Sequence, residues 1–443
     1  MTSRPVIPLR TASGKPSPEM LASLDRQWRW RYLMLAPHRL GFFLAMVVLV
    51  VSGGWWALVQ VARSSGGWGL YYAVSPTLVH SAVMAFGFIP LFFSGFLFTA
   101  GPKWLGVEPL PVEAIRAPLV AQAVGWLLWL AGAHLWVGVA LVGLAVATAG
   151  LVWMTAEFWG GVRRSQAEDQ LHARTTAWAC TLGCISLVGL WLGLAVGTHA
   201  LARAWVFTGL WGFVVVVYVT VAHRMIPFFT SSAMPMVQAW RPFWVLWLML
   251  AAAVLQVLAV WLDWLGLPAS AAGSAWGVVH GTLQLVIGGV LVWLACVWGL
   301  VQSLKNRLLA MLHIGFLWLG LAFLLGGLSR WLAWGYGMGT LGLGALHALT
   351  MGCLASLMLA MVTRVSCGHS GRALVADHTA WTLFWLLQVA TVLRIAAEVP
   401  GVFGMAWVWV LPVAAFLWAA TMGVWGVRLG RWYGCLRADG RPG

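Results

Sequence analysis

Charge is what this sequence has least of. Only 8% of its 443 residues are Asp, Glu, Lys or Arg, against 62% hydrophobic. Soluble domains carry about 25% charged residues, so a soluble globular body of this size could not wet its surface and is excluded. Acidic residues are scarcer still, 11 against 26 Lys and Arg. The resulting net charge of +15 raises the question of nucleic acid, but the basic residues never form a run interleaved with aromatics, so no nucleic-acid partner is expected. There are only six cysteines and no CxxC, which leaves neither a disulfide framework nor a zinc knuckle. No P-loop, no GxGxxG with a following acidic residue, no HExxH and no Ser-His-Asp arrangement occurs, so nucleotide-driven and hydrolytic chemistry have no foothold. The first 25 residues are polar without an apolar core, and do not read as a cleaved signal peptide.

What is present is a succession of long apolar runs. A helical span needs about 20 apolar residues, and stretches such as Leu141 to Thr155 lack the alternation of an outer-membrane barrel strand. The prediction is all-α: a polytopic membrane helix bundle of twelve transmembrane helices. Spans fall near 40–61, 78–100, 117–133, 135–156, 177–196, 204–223, 243–263, 273–298, 309–329, 341–363, 380–398 and 404–427. Residues 1–36 read as a flexible tail with an interfacial segment, 37–430 as the membrane domain and 431–443 as a second tail. With the N-terminus inside, nearly all basic residues fall on cytoplasmic segments, leaving Arg63, Arg203 and Arg330 on the opposite face and Arg394 within a span. The positive-inside rule therefore places both termini in the cytoplasm. Several of the 33 tryptophans, among them Trp28, Trp104 and Trp240, sit at span ends, where indole favours the interface. Gly339, Gly342 and Gly344 are expected to let the tenth helix approach its neighbours.

The chemistry lies in eleven histidines. Ionisable side chains at membrane depth are rare and usually functional, and neutral imidazole is a natural ligand for haem iron and copper. His80, His280 and His347 share one level, each within roughly 5 to 12 Å of the outer boundary at 1.5 Å per residue. His80 with Met84, and His347 with Met351, both read H-x3-M, a spacing that puts imidazole and thioether on one helix face. A second, cytoplasmic level holds His38, His223, His313 and His369. His134 and His199 are expected at the interface, and His172 and His378 in solvated loops. Arg394 lies near a span end, where it can snorkel, pair with Glu398 four residues on, or meet a haem propionate. Cys180 and Cys184 share a helix face and read as small buried apolar residues.

The blocks themselves then become informative. HSAVMAFGFIPLFFSGFLFTAGPKWL from His80 to Leu105, RMIPFFTS from Arg224 to Ser231, LHIGFLWLGLAFL from Leu312 to Leu324 and LHALTMGCLASLMLAMVTRVSCGHSGRAL from Leu346 to Leu374 resemble the NnrS family. Pro37-His38-Arg39-Leu40 fits the opening of that family's domain, and the resemblance runs from about residue 36 to 427. It implies a twelve-span protein of the bacterial inner membrane that contains haem and copper and protects against nitric oxide stress. The family's histidines would correspond to His38, His80, His313, His347 and His369, whereas His223 stands where many relatives carry another residue. The expected cofactors are haem b, with His80 and His347 as axial candidates and His280 as a third ligand or copper site, and copper or a second haem at His38, His313, His369 and His223. The expected partners are nitric oxide or iron-nitrosyl species and the lipid bilayer, with an electron donor that the sequence does not name. No intramembrane carboxylate chain offers a proton path, which favours binding or slow redox chemistry. The alternative is a transporter of haem, metal or a nitrosylated iron complex, although the two halves of the chain do not align as repeats.

Overall fold

With no water in the hydrocarbon region, a backbone that crosses it must satisfy its N–H and C=O groups internally, and long apolar runs therefore fold as helices. The computed structural model describes residues 27–440 apart from 67, 235, 237, 267–273, 337–339 and 403–406. Among the described residues the regular structure is helical, and twelve helices are long and apolar enough to cross a membrane. They are α1 Pro37–Ser64, α2 Pro76–Leu105, α3 Val112–Leu135, α4 Val137–Arg164, α5 Leu171–Ala195 and α6 His199–Ala233. Then follow α7 Phe243–Trp264, α8 Ala275–Val297, α9 Arg307–Gly335, α10 Gly344–His369, α11 His378–Ala396 and α12 Val410–Tyr433. Every predicted span has its helix. An even number of crossings puts both ends of the membrane domain on one side, here named the terminal end, opposite the far end.

Local sequence explains the helix boundaries. Pro37 and Pro76 stand in first turns, where their missing N–H groups are not needed. Gly106 closes α2 in the left-handed conformation with φ 63°. Asp377 caps α11 by accepting from the Ala380 N–H at 3.0 Å. Inside α2 the helix breaks between Phe86 and Ile89, because Pro90 offers no N–H and its ring collides with the carbonyl four residues back.

Asp377 lies outside the spans, and hydrogen bonds from Arg428 hold its carboxyl below the usual carboxylate range. A lowered carboxylate pKa stabilises the fold above its ordinary value, 3.8 here, and that contribution is lost as pH falls through the lowered one. Thermal unfolding below pH 4 should accordingly depend less on pH in Asp377→Asn than in the parent.

Glycine sets the tightest helix contacts. In the α3–α4 hairpin a Cβ on Gly143 would lie 2.6 Å from the Trp129 nitrogen and 2.7 Å from the Gly125 oxygen. Overpacking of this kind typically costs about 1–3 kcal/mol. Gly143→Val is expected to lower the thermal midpoint of the detergent-solubilised protein, and an unchanged midpoint would contradict that close approach.

The glycines expected to bring the tenth helix close act differently. Gly339 lies outside the described residues. Gly342, with φ 47°, turns the chain ahead of α10 against Glu398. The close approach of α10 to α9 comes instead at Gly352, where a Cβ would meet the Trp318 ring at 2.6 Å, and at Gly315 beside the Leu357 nitrogen.

The terminal end is tied by the chain's two outer segments. A short 3-10 helix, Trp30–Leu35, precedes α1, and the Arg29 N–H donates to the Gly434 carbonyl at 2.8 Å. Arg39 is buried and donates to the carbonyls of Tyr433 at 3.3 Å and Cys435 at 2.6 Å. The Ala438 N–H reaches Ser370 O at 2.8 Å, and Arg437 reaches His369 O at 3.2 Å. Residues 434–440, expected as part of a tail, thus form a strap across α1 and α10. Residues 1–26 of the other expected tail lie outside the described residues.

Candidate functional site

The two H-x3-M helices meet. His80, Met84, His347 and Met351 all line one cavity of about 670 Å³ at the far end, enclosed by α1, α2, α6, α10, α11 and α12. His80 is in the first turns of α2 and His347 at the start of α10, so the i, i+4 spacing turns each methionine into the space below its histidine. Two helices lining the cavity depart from α geometry: Leu210–Val215 within α6 and Ala348–Ala355 within α10 are π-helical. Such turns are rare and often accompany functional sites, because the extra residue re-aims the side chains that follow.

The imidazoles are held in different ways. His80 stacks on the Trp56 ring, centroids 3.8 Å apart, and its buried Nδ1 has no hydrogen-bond partner. The Nδ1 of His347 lies 2.9 Å from the Leu343 carbonyl. A carbonyl can only accept, so in the neutral ring the proton sits on Nδ1 and the Nε2 lone pair is left free, as in histidines that ligate metals. At the rim, Arg394 lines the cavity and pairs with Glu398 at 2.7 Å, one of the roles open to it. Arg203 and His199 of α6 line the same space, and most of the remaining wall is apolar. His199, expected only at the interface, is thus part of the site.

His280 does not line this cavity. It is buried on α8 facing α9, stacked on Trp276 at 5.5 Å, with both ring nitrogens unpartnered. Depth along the membrane normal is legible in a sequence, but position in the membrane plane is not, and α8 stands laterally apart.

The four histidines at the other level divide in the same plane. The rings of His38 and His369 lie 4.4 Å apart, with His38 Nδ1 buried and unpartnered. His223 pairs with His172: its Nε2 donates to the Pro242 carbonyl at 3.1 Å, so its Nδ1 accepts from His172 Nε2 at 3.0 Å. His313 stands alone, its Nε2 2.9 Å from the Thr230 hydroxyl. That hydroxyl already donates to Ile226 O, so it accepts from His313 and leaves the buried Nδ1 as a bare lone pair. Among the described residues no three His, Cys, Asp or Glu side chains gather closely enough to hold a metal ion. The expected level is therefore three separate places.

Sequence reasoning missed His172. It was expected in a solvated loop because Asp169 and Arg174 flank it, yet it is buried one residue inside α5. His378, expected likewise, is exposed at the start of α11. His134 accepts from Trp55 Nε1 at 2.7 Å and donates to Tyr71 O at 2.9 Å, which uses both ring nitrogens in structural bonds. Cys180 and Cys184 are free and buried, with the Cys184 sulfur 3.4 Å from the Thr155 hydroxyl.

Soft and borderline donors from two helices thus face an apolar volume with a cationic rim, an arrangement suited to an apolar ligand that carries a metal and anionic groups. No curated protein matches the chain. The family described as NnrS protein matches residues 32–437, nearly the whole sequence and all of the histidine-bearing blocks. This multi-pass membrane protein belongs to the NnrS family.

Proposed function

We propose that the chain is a haem b and copper protein of the bacterial inner membrane, with both termini cytoplasmic, that protects against nitric oxide by binding it, or iron-nitrosyl species, or by slow redox handling. Membership of the NnrS family supports a membrane protein related to nitric oxide stress. The observation that carries the finer reading is the shared cavity of His80 and His347. Its volume of about 670 Å³ falls within the range of ligand pockets, roughly 300–1,000 Å³. The residues fit the group: an imidazole with an orphaned ring nitrogen, a second with its tautomer preset by Leu343, two thioethers, and Arg394 and Arg203 placed to meet carboxylates.

His80 and His347 would hold haem b, whose iron, when bound, supplies the centre that takes up nitric oxide. Around it the chain orients and excludes. Trp56 fixes the His80 ring plane, the Leu343 carbonyl fixes the His347 proton, and most of the wall around them is apolar. No carboxylate is among the residues lining the cavity, which favours binding or slow turnover over rapid proton-consuming catalysis. Nitric oxide is small and apolar enough to arrive from the lipid between helices.

For copper, His38 and His369 offer the best-matched pair, since their rings lie 4.4 Å apart and imidazole is a natural copper ligand. His223 is committed to His172 and Pro242, and His313 acts alone. Copper per chain should fall in His38→Ala/His369→Ala and stay unchanged in His313→Ala; an unaltered ratio in the double variant removes the assignment.

The broken α2 beside the cavity favours one further reading, transport of haem, metal or a nitrosylated iron complex, because interrupted helices mark transporter sites. Absorbance of the purified, reduced protein separates the two. Stoichiometric haem whose Soret band shifts on adding nitric oxide supports the lead, and no haem absorbance after expression with ample haem favours the transporter.

A further inference from the structure

Tyr218 and Met358 end the histidine cavity on its inner side, and both also line a second chamber deeper in the bundle. It holds about 70 Å³ between α1, α2, α6, α9 and α10. Phe42, Phe92, Ala222, Leu312, Met361 and Val362 contribute to its wall, which is apolar apart from Tyr218. Phe42 in turn lies against His38, ring centroids 6.0 Å apart. The chamber therefore sits between the His80–His347 cavity and the His38–His369 pair.

A void among close-packed helices is unfavourable, because the atoms lining it lose contacts on one side. This wall nonetheless includes three methionines, Met225, Met358 and Met361, side chains that ordinarily fill gaps. Water does not solve the problem. A buried water needs two to four polar partners, and apart from the Tyr218 hydroxyl the wall has no side chain to offer one. Apolar cavities stay dry and take up small apolar molecules: an engineered one of about 150 Å³ holds benzene or xenon. At about 70 Å³ this chamber has room for diatomic or noble gases.

We infer that the chamber is a binding site for small apolar gas molecules, placed to feed the histidine cavity through the wall made by Tyr218 and Met358. Gas binding follows from the chamber alone; its use as a store of nitric oxide rests on the function proposed above. Three methionines give the wall its mobility, since their unbranched side chains rotate to pass a small molecule. An occupant is gathered from the bilayer core, where such gases dissolve, and is held one side chain away from the imidazoles.

Xenon tests this without any haem. The full-length protein in detergent is titrated with xenon and followed by 129Xe NMR. A saturable bound resonance, distinct from xenon dissolved in the micelle, is expected. Ala222→Leu, whose side chain lines only the inner chamber, should weaken xenon binding at least tenfold while leaving the absorbance spectrum unchanged. If that variant fails to fold, Val362→Phe fills the same space from α10. A parent protein without a saturable site, or filled variants that bind xenon like the parent, would overturn the proposal. So would native mass spectrometry showing a co-purified acyl chain that Ala222→Leu releases. Failure of the haem reading shows elsewhere, in the spectra of histidine variants, so the two results are separable.

Discussion

Alanine at His347 is expected to abolish the Soret band of the purified protein while leaving the bundle folded. The side chain lies at the start of α10 and lines the cavity, so its removal opens no void in a packed interface. What it removes is a nitrogen lone pair whose direction is preset by the 2.9 Å contact between Nδ1 and Leu343 O. Changing only the outer partner of a ligating histidine costs roughly 10–100-fold in affinity, so loss of the ligand itself should weaken haem binding by at least about 100-fold. His80→Ala should act alike, with an added loss of the ring stacked on Trp56. His134→Ala is the control, because both of its ring nitrogens are spent on Trp55 and Tyr71. Soret and α/β bands unchanged in either His80→Ala or His347→Ala would refute the ligand assignment.

The second large effect is on stability. Arg39 is 2% exposed and joins α1 to the strap through Cys435 O, to the end of α12 through Tyr433 O and, at 3.5 Å, to the short 3-10 helix through Tyr32 O. Hydrogen bonds from a charged donor contribute about 1.5–3 kcal/mol each, and acceptors left buried without partners add their own cost. Arg39→Met should therefore destabilise the protein by about 3 kcal/mol or more. It should also expose the strap, residues 434–440, to limited proteolysis before any other segment. Arg39→Lys is expected to recover only part of this, since all three carbonyls are met by Nη1 and the lysine ammonium ends one bond short of that position. Parent-like melting and cleavage in Arg39→Met would show that the strap is held by other contacts.

These outcomes depend on features that were unequally legible in the sequence. Span number was fully legible, because apolar length translates directly into a membrane crossing. The joint site of His80 and His347 was half legible: depth and the shared H-x3-M spacing pointed to it, but only the lateral arrangement of α2 and α10 puts both pairs in one cavity. The same limit explains His280, which has the right depth on the wrong side of the bundle, and the separation of His223 and His313 from His38 and His369. His172 was hidden by its charged neighbours, which mark a span end but do not say which way the first turn faces. The π-helical stretches, Leu210–Val215 and Ala348–Ala355, have no local residue signature; they answer to packing around the cavity.

Only Trp136 separates α3 from α4, and with no loop to leave on the far side, the two cannot settle in the bilayer one after the other. They must leave the translocation machinery as a folded hairpin, with Gly125 and Gly143 already apposed. Insertion of these two spans is thereby made all-or-none, and a polar linker spliced in after Trp136 would release α3 to seek its own orientation.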